Sequence, residues 1–379
     1  MTVSPSTPPA AEQRLQQIAQ ARRAVIAQGH GSAELRVDGW VERGWIERSW
    51  RRCLAAGQRP EQRVTFDVIP AQAPRRAQEA SEALVLAARP VLDRLGRAIA
   101  HSRYFAILTD AHGIVVDVGG PIDHSDRRAQ LITRIGTDLS ERAVGTAAIG
   151  AVLAERQPLW LHRGEHFFDD TSVYSCAGAP LFGPDGDCVG MLDLTGIEAQ
   201  ERPELRHLAA QSARSIENAL ALARPHRLLL RLGWPGRPLG SDSDGLVTLD
   251  ADGHVVAANA VARELMASLA APRGARAVHC SELFAMPWEM LFDAAGREAP
   301  MEVPLWSGLT LQLVAQAPGA AAPRPVAPAE SRRLPLRDLE ATLIRRAVDE
   351  ARGNVMQAAQ ALGISRATVY RKLGHKKRP

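Results

Sequence analysis

Lysine is nearly missing from this chain. Lysine and arginine together number 46 in 379 residues, yet the first lysine is Lys372, followed only by Lys376 and Lys377. A P-loop nucleotide hydrolase needs a lysine to reach the β and γ phosphates, and no G-x-x-x-x-G-K-[ST] string occurs, so ATP hydrolysis by that route is excluded. Cysteine is scarce too. Cys53, Cys176, Cys188 and Cys280 are scattered without any C-x-x-C pair, which argues against a disulfide frame and against a zinc ribbon. No apolar run reaches about eighteen residues, and the start, MTVSPSTPPAAEQ, has no basic segment followed by an apolar one. The expectation is a cytoplasmic protein with no membrane contact, reduced and mostly buried thiols, and no cofactor.

What is present begins with 46% apolar residues, enough to fill the cores of two or three domains in a chain of this length. The most informative stretch is Gly353 to Leu373, GNVMQAAQALGISRATVYRKL. Two short apolar-periodic segments meet there at Gly363 and Ile364. Ala358, Ala359 and Leu362 make a packing stripe, small where two helices would cross, and glycine suits a corner that needs positive φ. Ser365 is placed to cap the second helix by accepting backbone N–H bonds, while Val369 and Leu373 bury one of its faces. At about 100° per residue, Ala367, Thr368 and Arg371 point the other way, with Arg366 at the leading end and Lys372 on the flank. This is the layout of a DNA-recognition helix. Charge agrees with it. From Ala351 to Pro379 there are seven basic residues and no acidic one; the whole chain is only +4, so residues 1–350 are net acidic. Basic charge gathered at one end is an electrostatic footprint for phosphate.

The same segment resembles the Fis-type helix-turn-helix that closes many bacterial activators, through its GN…AA…LGISR.T.YRKL pattern. A preceding helix, Leu336 to Ala351, carries Leu336, Leu339, Leu343, Ala347 and Ala351 at helical spacing. The resemblance implies that it packs in a homodimer on a two-fold related double-stranded DNA site. The candidate DNA-binding residues are Ser365, Arg366, Thr368, Tyr370, Arg371, Lys372, Lys376 and Lys377. RNA polymerase is a further candidate partner.

Upstream, the pattern predicts an α+β multidomain chain. A helical region from about Ala11 is interrupted at Gly29 to Gly31 and resumes from Gly39 to Ala56, where IERSWRRC (Ile46 to Cys53) lies on an amphipathic helix. A long helix starts near Glu79. Strands follow at Tyr104 to Thr109 and Ile114 to Val118, a helix at Ala143 to Glu155, and a strand at Pro158 to His162. A hairpin, Val173 to Phe182 with Asp187 to Thr195, and a closing helix, Pro203 to Ala223, complete the order. This resembles a GAF domain, an antiparallel sheet with helices that senses small molecules. AVGTAAIG (Ala143 to Gly150), GEHFFDD (Gly164 to Asp170), YSCAGAPLFGPDG (Tyr174 to Gly186) and VGMLDLTG (Val189 to Gly196), together with SWRRC, resemble the acetoin catabolism regulator family. One departure is Ala147, where that family usually carries asparagine. A small-molecule effector is thereby implied, with Tyr104, Trp160, Phe167, Tyr174 and Cys176 as candidate pocket residues.

The stretch Ser243 to Met266 resembles the opening of a PAS-like α+β segment, with strands near Met301 to Trp306 and Leu309 to Ala315 to finish its sheet. The domain reading is therefore 1–10 disordered, 11–78 helical, 79–225 GAF-like, 238–316 PAS-like, 317–334 an Ala/Pro-rich linker, and 335–379 an all-α helix-turn-helix. Members of the resembled family usually carry a AAA+ ATPase between sensor and helix-turn-helix; here about twenty residues fill that gap. The expected function is a sequence-specific transcriptional regulator that senses a metabolite and acts without ATP hydrolysis. A co-regulator that pairs with an ATPase-bearing relative is the alternative. A third reading, a metal-dependent hydrolase, rests on His162-Arg163-Gly164-Glu165-His166, which matches H-x-x-E-H but sits beside a strand-like run rather than on a helix. No catalytic or metal-ligating residue is assigned.

Overall fold

The computed structural model describes residues 10–27, 43–66, 72–269, 277–297, 299–319, 344, 351, 354–361, 363–366 and 368–369. Two compact units divide the chain, Met1–Ala322 and Pro323–Pro379.

The first unit starts with α1 (Ala10–Arg22), one π turn (Arg23–Ala27) and α2 (Gly44–Ala55). In α2 the buried residues Trp45, Ile46, Ser49, Trp50 and Cys53 recur at the helical repeat, so one stripe faces inward. Next come α3 (Gln72–Ala98), β1 (Tyr104–Asp110) and β2 (Val115–Gly119). The Asp110 carboxylate closes the hairpin by accepting from the amides of His112 and Ile114. Short helices α4 (Arg127–Ile132), α5 (Glu141–Val144) and α6 (Ala148–Glu155) lead to β3 (Leu159–His162), β4 (Tyr174–Phe182), β5 (Cys188–Ile197) and the long α7 (Leu205–Ala223).

Sequence periodicity joins 143–155 in one helix. The structure breaks it in two at Gly145, whose φ of +66° no other residue adopts without strain, and Ala147 is extended before α6 begins.

The strands form one antiparallel sheet in the order β2-β1-β5-β4-β3. Alternation sorts its two faces. Phe105, Ile107, Tyr174, Cys176, Met191 and Ile197 face a core shared with α2, α4, α5 and α6. Ala106, Leu108, Ala177, Ala179, Leu181, Leu192 and Leu194 face the other way, under α3 and α7. Both faces are covered, which is why β4 and β5 are buried almost throughout.

A second antiparallel sheet follows: β6 (Leu228–Gly233), β7 (Gly245–Leu249), β8 (Val255–Ala258), then α8 (Ala260–Leu265), α9 (Glu289–Asp293), β9 (Met301–Pro304) and β10 (Thr310–Gln316). Its order is β8-β7-β6-β10-β9. The sequence pattern places no element between 225 and 238; in the structure that stretch holds β6, the sheet's central strand. Leu228, Leu230 and Leu232 of β6 pack with Leu249, Phe284, Leu291, Leu311 and Leu313 in its core.

Helix α7 joins the two sheets, packing against β4 and β5 of the first and β7 and β8 of the second. Polar groups fix the joint. Asn259 caps α8 by accepting from the Ala262 amide at 2.8 Å, accepts from the Leu246 amide at 2.9 Å, and donates to Asn218 Oδ1 of α7 at 2.8 Å. Arg263 donates to the Pro184 carbonyl at 2.7 Å, gripping the β4–β5 turn.

In the second unit, α10 (Val355–Ala361) is capped by Asn354, whose Oδ1 accepts from the amides of Met356 and Gln357. Ile344, Ala359 and Val369 are buried together, with Val355 and Ile364 beside them.

Candidate functional site

The inward face of the first sheet does not pack solid. Ile107 of β1, Tyr174 and Cys176 of β4, and Asp193 and Thr195 of β5 floor a cavity of about 40 Å³. Ile132, Leu139, Val144, Ala147, Ala148 and Ile149 supply apolar walls, and Phe66, His166 and Thr171 complete the lining. The Phe66 ring meets Tyr174 edge-on with centroids 6.5 Å apart. The strap that carries it is tied down, since the Asp169 amide donates to the Pro60 carbonyl and the Val64 amide donates to Asp170.

One side of this cavity is polar. Asp193 is fully buried; Thr195 Oγ1 donates to its Oδ2, and its Oδ1 has no hydrogen-bond partner. Burial pushes its carboxyl up to about 7. Cys176 Sγ lies 3.4 Å from Thr195 Oγ1 and 3.6 Å from His166 Nε2. His166 Nδ1 is 2.8 Å from the Arg163 carbonyl, which can only accept, so the proton sits on Nδ1 and Nε2 presents a lone pair. Burial lowers this imidazole to about 4 and pushes the Cys176 thiol well up, leaving both neutral near pH 7. Room for the carboxylate comes from Gly178, Asp193's register partner on β4: a Cβ there would fall 2.4 Å from Met191 Cε and 3.4 Å from Asp193 Oδ1.

Of the five candidate pocket residues, Tyr174 and Cys176 line the cavity. The other three do not, and each has a structural reason. Tyr104 is on the opposite face of β1, its hydroxyl donating to the Gln200 carbonyl. Phe167 is fully buried in the core against Phe168. Trp160 lies outside, with the Arg43 guanidinium 3.8 Å above its ring. Sequence reading missed Asp193, Thr195, His166 and Phe66. A signal for the first was present: in VGMLDLTG an acidic residue shares the inward parity of Met191.

The H-x-x-E-H string has the wrong shape for metal chemistry. His162 ends β3, Arg163–Glu165 form a 3-10 turn, and the histidines are engaged separately, His162 with Ser175 and His166 with the Arg163 carbonyl. Glu165 is taken by Arg43 at 2.6 and 2.7 Å, by Arg14, and by the His162 amide. Among the described residues no group of three or more His, Cys, Asp or Glu could hold a metal.

At the C-terminal end, Gly363 has φ of +64°. Its amide bonds to Gln360, and the Ile364 amide bonds to Ala359, the paired closure that ends a helix and turns the chain sharply. Ser365 Oγ accepts from the Thr368 amide at 3.2 Å, the cap expected of it. Arg366 is exposed and Thr368 half-exposed on the turn that follows. Tyr370, Arg371, Lys372, Lys376 and Lys377 lie outside the described residues, as does most of Leu336 to Ala351. Among the described residues no helix is long and apolar enough to cross a membrane.

Comparison with known proteins agrees with this layout. Residues 83–220 match the GAF domain family and residues 335–375 match the family described as bacterial regulatory protein, Fis family. The acetoin catabolism regulatory protein of Cupriavidus necator is 32% identical over 64% of this chain and 37% of its own length. The signal-transduction and transcriptional-control protein of Clostridium beijerinckii is 27% identical over 49% of this chain and 30% of its own. The acetoin dehydrogenase operon transcriptional activator of Bacillus subtilis is 27% identical over 47% and 29%. The chain thus carries a GAF domain and a Fis-type helix-turn-helix, and it spans about a third of the length of the curated relatives it matches.

Proposed function

We propose that this chain is a DNA-binding transcriptional regulator in which the GAF domain senses a small metabolite and the Fis-type helix-turn-helix engages double-stranded DNA as a homodimer, without ATP hydrolysis. The observation that carries the reading is the corner at Gly363 with its Ser365 cap, which starts a helix led by exposed Arg366 inside a segment matching the Fis family. Arg366, Thr368 and Arg371 are assigned to base edges. Tyr370, Lys372, Lys376 and Lys377 are assigned to phosphates. The relatives are named as transcriptional regulators, two of them for acetoin genes, which supports a metabolite as the input. An effector shifts promoter occupancy through a difference in its affinity for the DNA-competent and incompetent states of the dimer.

Selection of genomic fragments by the purified chain without nucleotide, followed by footprinting, tests this. The expected outcome is protected two-fold related sites with half-sites about one helical turn apart. Protection that requires an added ATPase-bearing relative would contradict autonomous action and favour a co-regulator.

A further inference from the structure

The cavity's polar side has a definite chemical sense. Asp193 is buried with an unpartnered oxygen, and leaving a buried acceptor unpaired is unfavourable in a way that an incoming donor removes. His166 Nε2 is an acceptor too, since its other nitrogen is committed to the Arg163 carbonyl, but it already faces the Cys176 thiol, which leaves Asp193 Oδ1 as the open acceptor. The remaining walls are apolar, and no arginine lines the cavity to balance an anion. A space of about 40 Å³ admits roughly three to five non-hydrogen atoms.

We infer that this cavity is a binding site for a small uncharged alcohol, which donates its hydroxyl to Asp193 Oδ1 and lays its carbon skeleton against Ile107, Ile132 and Val144. This inference rests on reading the GAF domain as the sensor. A carboxylate ligand of the same size is refused. It would bring a second negative charge against Asp193 in an apolar enclosure, where desolvation already pushes the Asp193 carboxyl up to about 7. A simple ketone is disfavoured for a different reason: it only accepts, and so leaves the Asp193 acceptor unpaired.

Three probes of similar size separate these chemistries: 1,2-propanediol, glycolate and acetone, titrated calorimetrically into the full chain at pH 8. The diol is expected to bind about tenfold or more tighter than either of the others. Asp193→Asn adds a readout that misfolding cannot mimic. With Thr195 still donating to the amide oxygen, the amide nitrogen turns the exposed acceptor into a donor, which serves a carbonyl as well as a hydroxyl oxygen, so acetone gains affinity and the diol's advantage over it is lost. Tighter glycolate binding, an unchanged preference in Asp193→Asn, or no heat from the diol at millimolar concentration would each overturn the inference. DNA binding is measured on the same preparation without additives. Specific DNA binding with a failed diol sinks the ligand class alone, whereas diol binding without DNA recognition sinks the regulator reading.

Discussion

Asp193 is the residue whose position says most about the GAF domain, and its titration can be observed directly. A free aspartate titrates near 4, whereas burial raises Asp193 to about 7. Between those values the folded chain keeps a proton that the unfolded chain has released, so this residue's contribution to stability falls as pH rises through the window. His162 and His166, each lowered to about 4 by burial, act with the opposite sign: their contribution is lost as pH falls from about 6.5 towards 4. Comparing Asp193→Asn with the natural chain cancels the histidines. The variant should be more stable by roughly 1 kcal/mol at pH 5 and by on the order of a few kcal/mol at pH 8. A pH-independent difference would contradict the burial argument. In the other unit, Arg366→Ala should cost about 1 to 3 kcal/mol and relax preference at one base pair. Lys376→Ala should instead weaken all sequences alike and lower the salt slope by roughly one. Equal losses on specific and random DNA for Arg366→Ala would withdraw its assignment to a base edge.

At the scale of elements, the N-terminal helices are built into the GAF domain's core. Trp50 is wholly buried and donates to the Glu165 carbonyl, and the Glu165 carboxylate binds Arg14 from α1 and Arg43 just before α2. Removing one member of such a buried set leaves the others charged and unpaired. Glu165→Gln should lose about 3 to 5 kcal/mol, seen as a lower urea midpoint; a loss below about 1 kcal/mol would mean that the cluster behaves as a surface pair. Elements also mark where sequence reading succeeds and fails. The β1–β2 hairpin and the Gly363 corner were legible because each carries its own turn chemistry, Asp110 in one and Gly363 with Ser365 in the other. Strand β6 was not. Its run LLLRLG shows no polar alternation because the strand is buried along nearly its whole length, and Pro225 and Pro235 on either side suggest a bridge. Tyr104 and Trp160 failed on parity. Tyr104 and Cys176 occupy opposite faces of one sheet, and only the register Tyr104↔Gly196 and Cys176↔Thr195 separates them.

At the scale of the whole molecule, charge is divided unevenly along the chain. Residues 1–350 are net acidic and the net basic charge falls after Ala351, on the segment that matches the Fis family, where it attracts phosphate. Helix α7 packs against both sheets and is tied through Asn218 to Asn259, so it joins the GAF domain to the second sheet. The most direct test of the central claim is fluorescence anisotropy of the full chain, without nucleotide, on a selected genomic fragment and on random DNA of equal length at about 0.15 M salt. The account predicts a Kd on the selected fragment about a thousandfold or more below that on random DNA, with both weakening steeply as salt rises. Equal affinity for the two DNAs, or no binding to either, would contradict it.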